Sequence, residues 1–170
     1  MTGQRDPHTQ VHDKKPAGMV GDRLRLMFDW YKGIIDESTG RLLYLYDPEN
    51  DVTIGDGELI RDIAAIWDVE VLSTFLGRGD LQPLIRRSLD YFRGLIVERD
   101  EYAIVAPRRN QSSIAHSAFL ALALCRSELP GKIQQFVPLI DGILHQQRKD
   151  GSYKIFFDAE PDSGEELYPA

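Results

Sequence analysis

Two polar residues occupy the first turns of otherwise apolar helical segments, where their side chains can do chemistry. Arg61 follows an apolar pair, and His116 follows an apolar pair in the same register of a second, similar segment. A histidine ionises near neutral pH and can act as a general acid or base. An arginine can bind a carboxylate or sugar hydroxyl groups. We therefore predict that His116 is catalytic and that Arg61 binds substrate.

Each of these two residues also has a purely structural interpretation. Arg61 can instead form a salt bridge with a nearby carboxylate, and the candidates are Asp56, Glu58 and Asp62. His116 can instead be a buried, hydrogen-bonded imidazole. The sequence leaves both alternatives open.

A pair of carboxylates, Glu165 and Glu166, opens the last predicted helix. Two carboxyl groups can serve glycoside hydrolysis as acid and base or nucleophile, and we predict both residues as catalytic. The alternative is that these acids only complement the positive end of the helix dipole.

Four more residues are predicted to bind substrate: Glu58, Trp67, Arg109 and Asn110. Three are polar residues in or beside the loops that precede the apolar helices. Trp67 can stack on a sugar ring, although core packing is the alternative for it. No metal site or cofactor is predicted. His8 and His12 have the spacing of metal ligands on a helix, but their segment is not helical in pattern.

Composition excludes several classes of protein. A net charge of -7 and a pI near 5.1 argue against a nucleic-acid partner. No apolar run approaches the length of about 20 residues that crosses a bilayer.

The single cysteine, Cys125, lies in an apolar helical run and is expected to be buried. One cysteine fits a reducing compartment, so we predict a cytoplasmic protein.

Helical periodicity predicts five helices and the start of a sixth. Their ranges are 20–32, 58–76, 81–98, 113–128 and 132–147, with the sixth beginning at Glu165. Residues 1–18 have almost no apolar content and are expected to be a disordered tail, which leaves 19–170 as one domain.

An apolar helix, an amphipathic helix, an aromatic extended segment and a polar loop recur in that order. The extended segments are predicted at 42–46, 99–107 and after the turn at 147–153, and 51–57 is predicted to be a loop. The fold class predicted is all-α: antiparallel helical hairpins with short aromatic β-like hairpins between the repeats.

Several motifs carry a resemblance to a known superfamily. Gln147-x-x-x-Gly151-x-Tyr153 is similar to the QW repeat of squalene cyclases, with Tyr in place of Trp. Bacterial toroid proteins also show a Tyr-x-Tyr-Asp segment, as at 44–47, and a Gly-Glu-x-x-Tyr-Pro run, as at 164–169. The chain thus resembles the α/α toroids of six-hairpin glycosidases, N-acylglucosamine 2-epimerases and terpenoid cyclases. This resemblance implies part of a toroid over 19–170, with a site at the N-terminal ends of the inner helices.

The resemblance implies a carbohydrate-active domain, glycosidase-like or epimerase-like, or a fragment of one, whose ligand is a sugar or another hydroxyl-rich small molecule. The alternative is a non-catalytic helical-repeat domain for binding or oligomerisation. A terpenoid-cyclase-like domain is a third reading, which the absence of an Asp-x-Asp-Asp run disfavours. The repeat pattern breaks off at Ala170. We therefore expect another copy, or the remainder of a longer chain, to cover the open edge.

Overall fold

The computed structural model describes residues 18–43, 45–54, 59–106, 112–158 and 167–168. The helices are α1 (Met19–Ile34), α2 (Leu59–Leu76), α3 (Gln82–Arg93), α4 (Ile114–Arg126) and α5 (Lys132–His145). The strands are β1 (Leu45–Asp47), β2 (Val52–Ile54), β3 (Ile96–Glu98), β4 (Ala103–Val105), β5 (Tyr153–Lys154) and β6 (Leu167–Tyr168).

Helices α2 and α4 pack side by side at the centre of the described structure. Helix α2 also contacts α1 and α3, and α4 also contacts α3, α5 and β4. Both helices are apolar on more than one face, which suits burial on several sides. Fully buried side chains come from both, among them Ile63, Ile66 and Val69 of α2 and Leu120 and Leu124 of α4. Helices α2 and α4 are the two apolar helices of the recurring pattern, and their apolar side chains form much of the core.

The strands form three separate two-stranded antiparallel sheets within the described residues. β1 pairs with β2, β3 with β4, and β5 with β6. The residues of β4 are all buried, because this strand packs against α4 and α5. In chain order, β1 and β2 precede α2, β3 and β4 precede α4, and β5 and β6 follow α5.

The all-α fold class is therefore wrong, and with it the description as part of an α/α toroid. The described chain is a mixed structure of five helices and three small antiparallel sheets. The extended segments had been predicted as short β-like hairpins between the repeats, with no partner strand assigned to them. Each one instead finds a partner strand: 45–47 pairs with 52–54, a stretch that was predicted as a polar loop.

Two predicted helix boundaries also fail. The third helix was expected to reach 98, but it ends at Arg93, because the chain turns at 94–95 and Ile96–Glu98 pair as β3. Where a sixth helix was expected, Leu167–Tyr168 form β6. The predicted tail lies, from residue 1 to 17, outside the described residues.

The turn after α5 has the sharp geometry that its sequence indicates. Gly151 has a φ of 87°, which only glycine adopts without strain. The Arg148 amide donates to the Ser152 carbonyl over 2.8 Å, and the Asp150 carboxylate accepts from the Ser152 amide over 3.0 Å. The turn leads the chain directly into β5.

Candidate functional site

A polar cleft lies at the C-terminal ends of the two central helices. Its volume is about 380 Å³, within the range of small-molecule sites. We call it the α2–α4 cleft. Its lining residues are Glu70, Ser73, Thr74, Gly77, Arg78, Gln82, Arg86, Arg126, Ser127 and Glu128.

The cleft exists because three helix ends meet there. Helix α2 stops where Gly77 takes a φ of 63°, and its amide donates to the Thr74 carbonyl over 3.2 Å. The chain then enters α3, whose first turns bring Gln82 and Arg86 to the cleft. Helix α4 runs in the same direction as α2 and contributes its own C-terminal end.

Glu70 is the most perturbed group of the cleft. Its side chain is only 5% exposed, and its Oε2 atom has no hydrogen-bond partner among the described residues. Loss of solvation raises the pKa of Glu70 to about 7, although the positive charges of Arg126 and Lys132 act in the opposite direction. A carboxyl group with this pKa can both donate and accept a proton at neutral pH.

Arg78 forms a fixed wall of the cleft. Its guanidinium forms ion pairs with Asp29 at 2.6 Å and with Asp80 at 2.8 Å. It also lies 4.2 Å above the centre of the Phe28 ring. These contacts join α1 to the loop between α2 and α3, and they hold the guanidinium in place.

His116 lies at the opposite end of α4 from the cleft, where it caps the helix. The Ser113 amide donates to His116 Nδ1 over 3.3 Å, and the Ser113 hydroxyl lies 2.9 Å from the same atom. A backbone amide can only donate, so Nδ1 serves as an acceptor in this arrangement. The imidazole is buried. This geometry is that of the hydrogen-bonded structural alternative, and a catalytic role stays a prediction.

The other predicted residues are dispersed or lie outside the described residues. Arg61 is exposed in the first turn of α2, at the same end as His116. Trp67 is partly buried and packs against the hydrophobic core. Core packing is the alternative that was given for it beside sugar stacking. Five predictions fall outside the described residues and stay predictions: Glu58, Arg109, Asn110, Glu165 and Glu166.

Beside Arg61, the structure reveals a partly buried ion pair that the sequence did not indicate. The Asp62 carboxylate is buried and accepts from Arg41 Nε over 2.9 Å and from Arg41 Nη2 over 2.7 Å. Asp62 had been considered only as a partner of Arg61. The pair fixes the segment after α1 against the start of α2.

The sequence contains one indication that Glu70 is unusual, but the strong apolar pattern of the helix makes it easy to overlook. Glu70 interrupts the apolar run Val69-Glu70-Val71-Leu72 in a helix that is buried on several sides. An acid in such a position must be either paired or protonated. Cys125 also differs from expectation: it is exposed, since it shares an outward face of α4 with Leu122.

Comparison with known proteins adds no relative. The chain matches no protein-family model, no curated protein and no solved structure. The superfamily resemblance therefore stays a prediction. Over the described ranges, no helix combines the length and apolar character needed to cross a membrane. Within those ranges, no three His, Cys, Asp or Glu side chains gather as a metal site.

Proposed function

We propose that this chain is a carbohydrate-active protein that binds a hydroxyl-rich small molecule in the α2–α4 cleft. One observation carries the proposal: a buried carboxyl group, Glu70, lines a polar cleft and has an oxygen without a partner among the described residues. Buried polar atoms of this kind are rare, and a ligand-binding or catalytic role is one explanation for them.

The remaining lining suits a ligand with many hydroxyl groups. Ser73, Thr74 and Ser127 offer hydroxyl groups, and Gln82 offers an amide that can both donate and accept. Such groups form directional hydrogen bonds with sugar hydroxyls. The cleft contains few apolar contacts, which disfavours a terpenoid or another hydrocarbon ligand.

In this proposal Glu70 performs general acid–base catalysis. Protonated, it donates to a glycosidic or ring oxygen of the ligand; ionised, it accepts a proton. A second carboxyl group, that of Glu128, lines the same cleft. Most glycosidases use a pair of carboxyl groups that flank the bond they cleave. Epimerisation likewise needs a group that removes and returns a proton.

The experiment follows turnover of nitrophenyl glycosides by absorbance and conversion of free sugars by NMR. Glu70→Gln keeps the shape and removes the proton exchange, so we expect turnover to fall by about 100-fold or more. Glu101→Gln, an exposed residue outside the cleft, is the matched control and should retain full activity. Equal rates for the wild type and Glu70→Gln, or no turnover and no sugar binding by the wild type, would contradict the proposal.

A second candidate is a non-catalytic domain that associates with another copy of itself. Helix α1 exposes large apolar side chains on one face: Met19 is 77% exposed, Leu26 60% and Trp30 52%. Helix α5 exposes a similar row, Ile133, Val137 and Leu144. Sedimentation velocity tests this candidate. A dimer that Trp30→Ser dissociates would favour it, and a monomer at all concentrations would reject it.

We further propose that the protein works in a reducing, cytoplasmic compartment. The support is the single cysteine, Cys125, which is exposed as a free thiol. Recovery of the protein from the cytosolic fraction of its cell is the expected result. Recovery from a secreted or membrane fraction would refute this location.

A further inference from the structure

We infer that the ligand of the α2–α4 cleft carries an oxyanion group, a carboxylate or a phosphate, which Arg86 and Arg126 bind together. The hydroxyl-rich remainder of this ligand rests on the function proposed above. The oxyanion group of the ligand then decides the affinity and specificity of the cleft.

Two arginines of the cleft have no ion-pair partner among the described residues. Arg86 reaches the cleft from α3 and Arg126 from the end of α4. Many other arginines of the described chain form ion pairs with aspartates, namely Arg25, Arg41, Arg78, Arg93 and Arg99. A planar guanidinium matches the two oxygens of a carboxylate or phosphate, so an unpaired set in a cleft is suited to bind one.

The local charge of the cleft differs from that of the whole chain. The chain carries a net charge of -7, but the cleft lining contains three arginines and two glutamates. Arg78 is neutralised by the two aspartates that it binds. Glu70 is buried, and burial favours its uncharged form. Arg86 and Arg126 then outweigh Glu128, and the cleft is a positive site on an acidic protein.

The helix ends around the cleft bring partial charge of both signs, and donors occupy carbonyls of the two negative C-terminal ends. The N-terminal turns of α3 bring partial positive charge to it. At the end of α4, the positive charge of Lys132 lies on C-terminal carbonyls, because its Nζ donates to the Cys125 carbonyl over 2.9 Å and to the Ser127 carbonyl. At the end of α2, the Arg78 amide donates a hydrogen bond to the Ser73 carbonyl over 2.9 Å.

The buried carboxyl group of Glu70 supports a ligand in this cleft independently of the two arginines. Its buried Oε2 lies in the same cleft and has no partner in the described part of the chain. A ligand held at one end by the two guanidinium groups would lie beside Glu70, whose side chain lines the same cleft. The anion then fixes the ligand, and Glu70 contacts its hydroxyl-bearing part.

Isothermal titration with four probes tests this inference: glucose, glucuronate, glucose 6-phosphate and inorganic phosphate. We expect the wild type to bind at least one anionic sugar about tenfold or more tightly than glucose, since hydrogen bonds to charged groups are the stronger ones. The preference should weaken as salt is added. Comparing glucuronate with glucose 6-phosphate identifies the kind of anion.

The variants are Arg86→Gln, Arg126→Gln and the double substitution, with Arg87→Gln as the matched control. Arg87 is the neighbour of Arg86 on α3 and is exposed, but it does not line the cleft. We expect the double variant to lose the preference for anionic sugars and Arg87→Gln to retain it. Circular dichroism and thermal melts confirm that each variant is folded.

The outcomes separate this inference from the proposed function. If glucose binds as tightly as the anionic sugars, the oxyanion inference is overturned and the proposed function stands. If the double variant keeps the preference, Arg86 and Arg126 are not the anion site. If inorganic phosphate alone binds, and only when both arginines are present, the anion site is supported and the carbohydrate proposal fails.

Discussion

Replacing Glu70 by glutamine is expected to stabilise the protein at alkaline pH and to leave its stability unchanged in acid. Above about pH 8 we expect a gain of about 2 kcal/mol in the free energy of unfolding relative to the wild type. The reason is that glutamine has the shape of the protonated carboxyl group and cannot ionise inside the fold.

The direction follows from the raised pKa of Glu70. In the unfolded chain this carboxyl has its ordinary pKa of 4.5, and in the fold burial raises the pKa to about 7. Between these values the unfolded state binds fewer protons than the folded state, so the wild type loses stability as the pH rises. Below 4.5 both states are protonated and there is no difference. Above about 7 the loss is complete.

The groups around Glu70 limit the size of this effect. Arg126 of α4 and Lys132 of α5 favour the ionised carboxylate. Arg78 and Arg86 line the same cleft with positive charge, and Glu128 with negative charge. The pKa of about 7 already includes the charges of Arg126 and Lys132, so the full linkage value of about 3 kcal/mol is the upper limit of the change.

Urea denaturation of the wild type, Glu70→Gln and Glu101→Gln at acidic, neutral and alkaline pH measures this. The Glu101 control is exposed and should follow the wild type at every pH. A wild type whose stability relative to Glu70→Gln does not fall between pH 4.5 and 7 would show that the carboxyl group is solvated and unperturbed.

Replacing Gly142 by alanine is expected to destabilise the protein by about 2 to 3 kcal/mol, even though alanine is the better helix former by about 1 kcal/mol. Gly142 is buried in α5, where the helix packs closely on β4. A Cβ atom there would lie 2.3 Å from the Ala103 carbonyl oxygen and 3.3 Å from Tyr102 Cδ2. Backbone cannot yield as a flexible side chain can, so α5 would have to move away from the sheet.

Gly33 provides the matched control in α1. A Cβ atom at Gly33 would meet no described atom within 4 Å, and its φ is not positive. Gly33→Ala should therefore stabilise the protein by up to about 1 kcal/mol through helix propensity alone. Thermal denaturation of both variants checks the pair. If Gly142→Ala were as stable as Gly33→Ala, the close contact between α5 and β4 would be refuted.

The helices were predictable because their signals are long and redundant. Helix α2 carries apolar residues throughout its 18 residues, and α5 carries an apolar stripe that a periodic pattern detects. The end of α3 was less predictable. The run Leu95-Ile96-Val97 continues an apolar pattern, and only pairing with β4 turns it into a strand.

Short β-like hairpins were predicted between the repeats, but the pairing of their strands was not, because the strands are too short to show a pattern. Strands of two or three residues contain at most one full alternation of faces, so periodicity says little. Val52–Ile54 lies between turn-forming residues and was predicted as a loop for that reason. Val52–Ile54 becomes a strand only by pairing with β1, and this pairing requires the chain to fold back on itself.

The candidate site was missed for a related reason. Sequence patterns favour helix N-termini, where Arg61 and His116 stand in matching registers. The cleft lies at the other end of the same helices and forms only when three helix ends meet. Glu70 is one acid in an apolar run, and its chemistry depends on burial. The capping bond between Ser113 and His116 also needs three-dimensional geometry to be recognised.

The central claim is that Glu70 keeps a proton near neutral pH in a polar cleft, and carbon-13 NMR of the side-chain carboxyl groups tests it most directly. The Glu70 resonance is identified as the one that disappears in Glu70→Gln. We expect its titration midpoint near 7, the value to which burial raises the pKa. A midpoint near the ordinary value of 4.5 would contradict the claim and, with it, the role of Glu70 as an acid–base group.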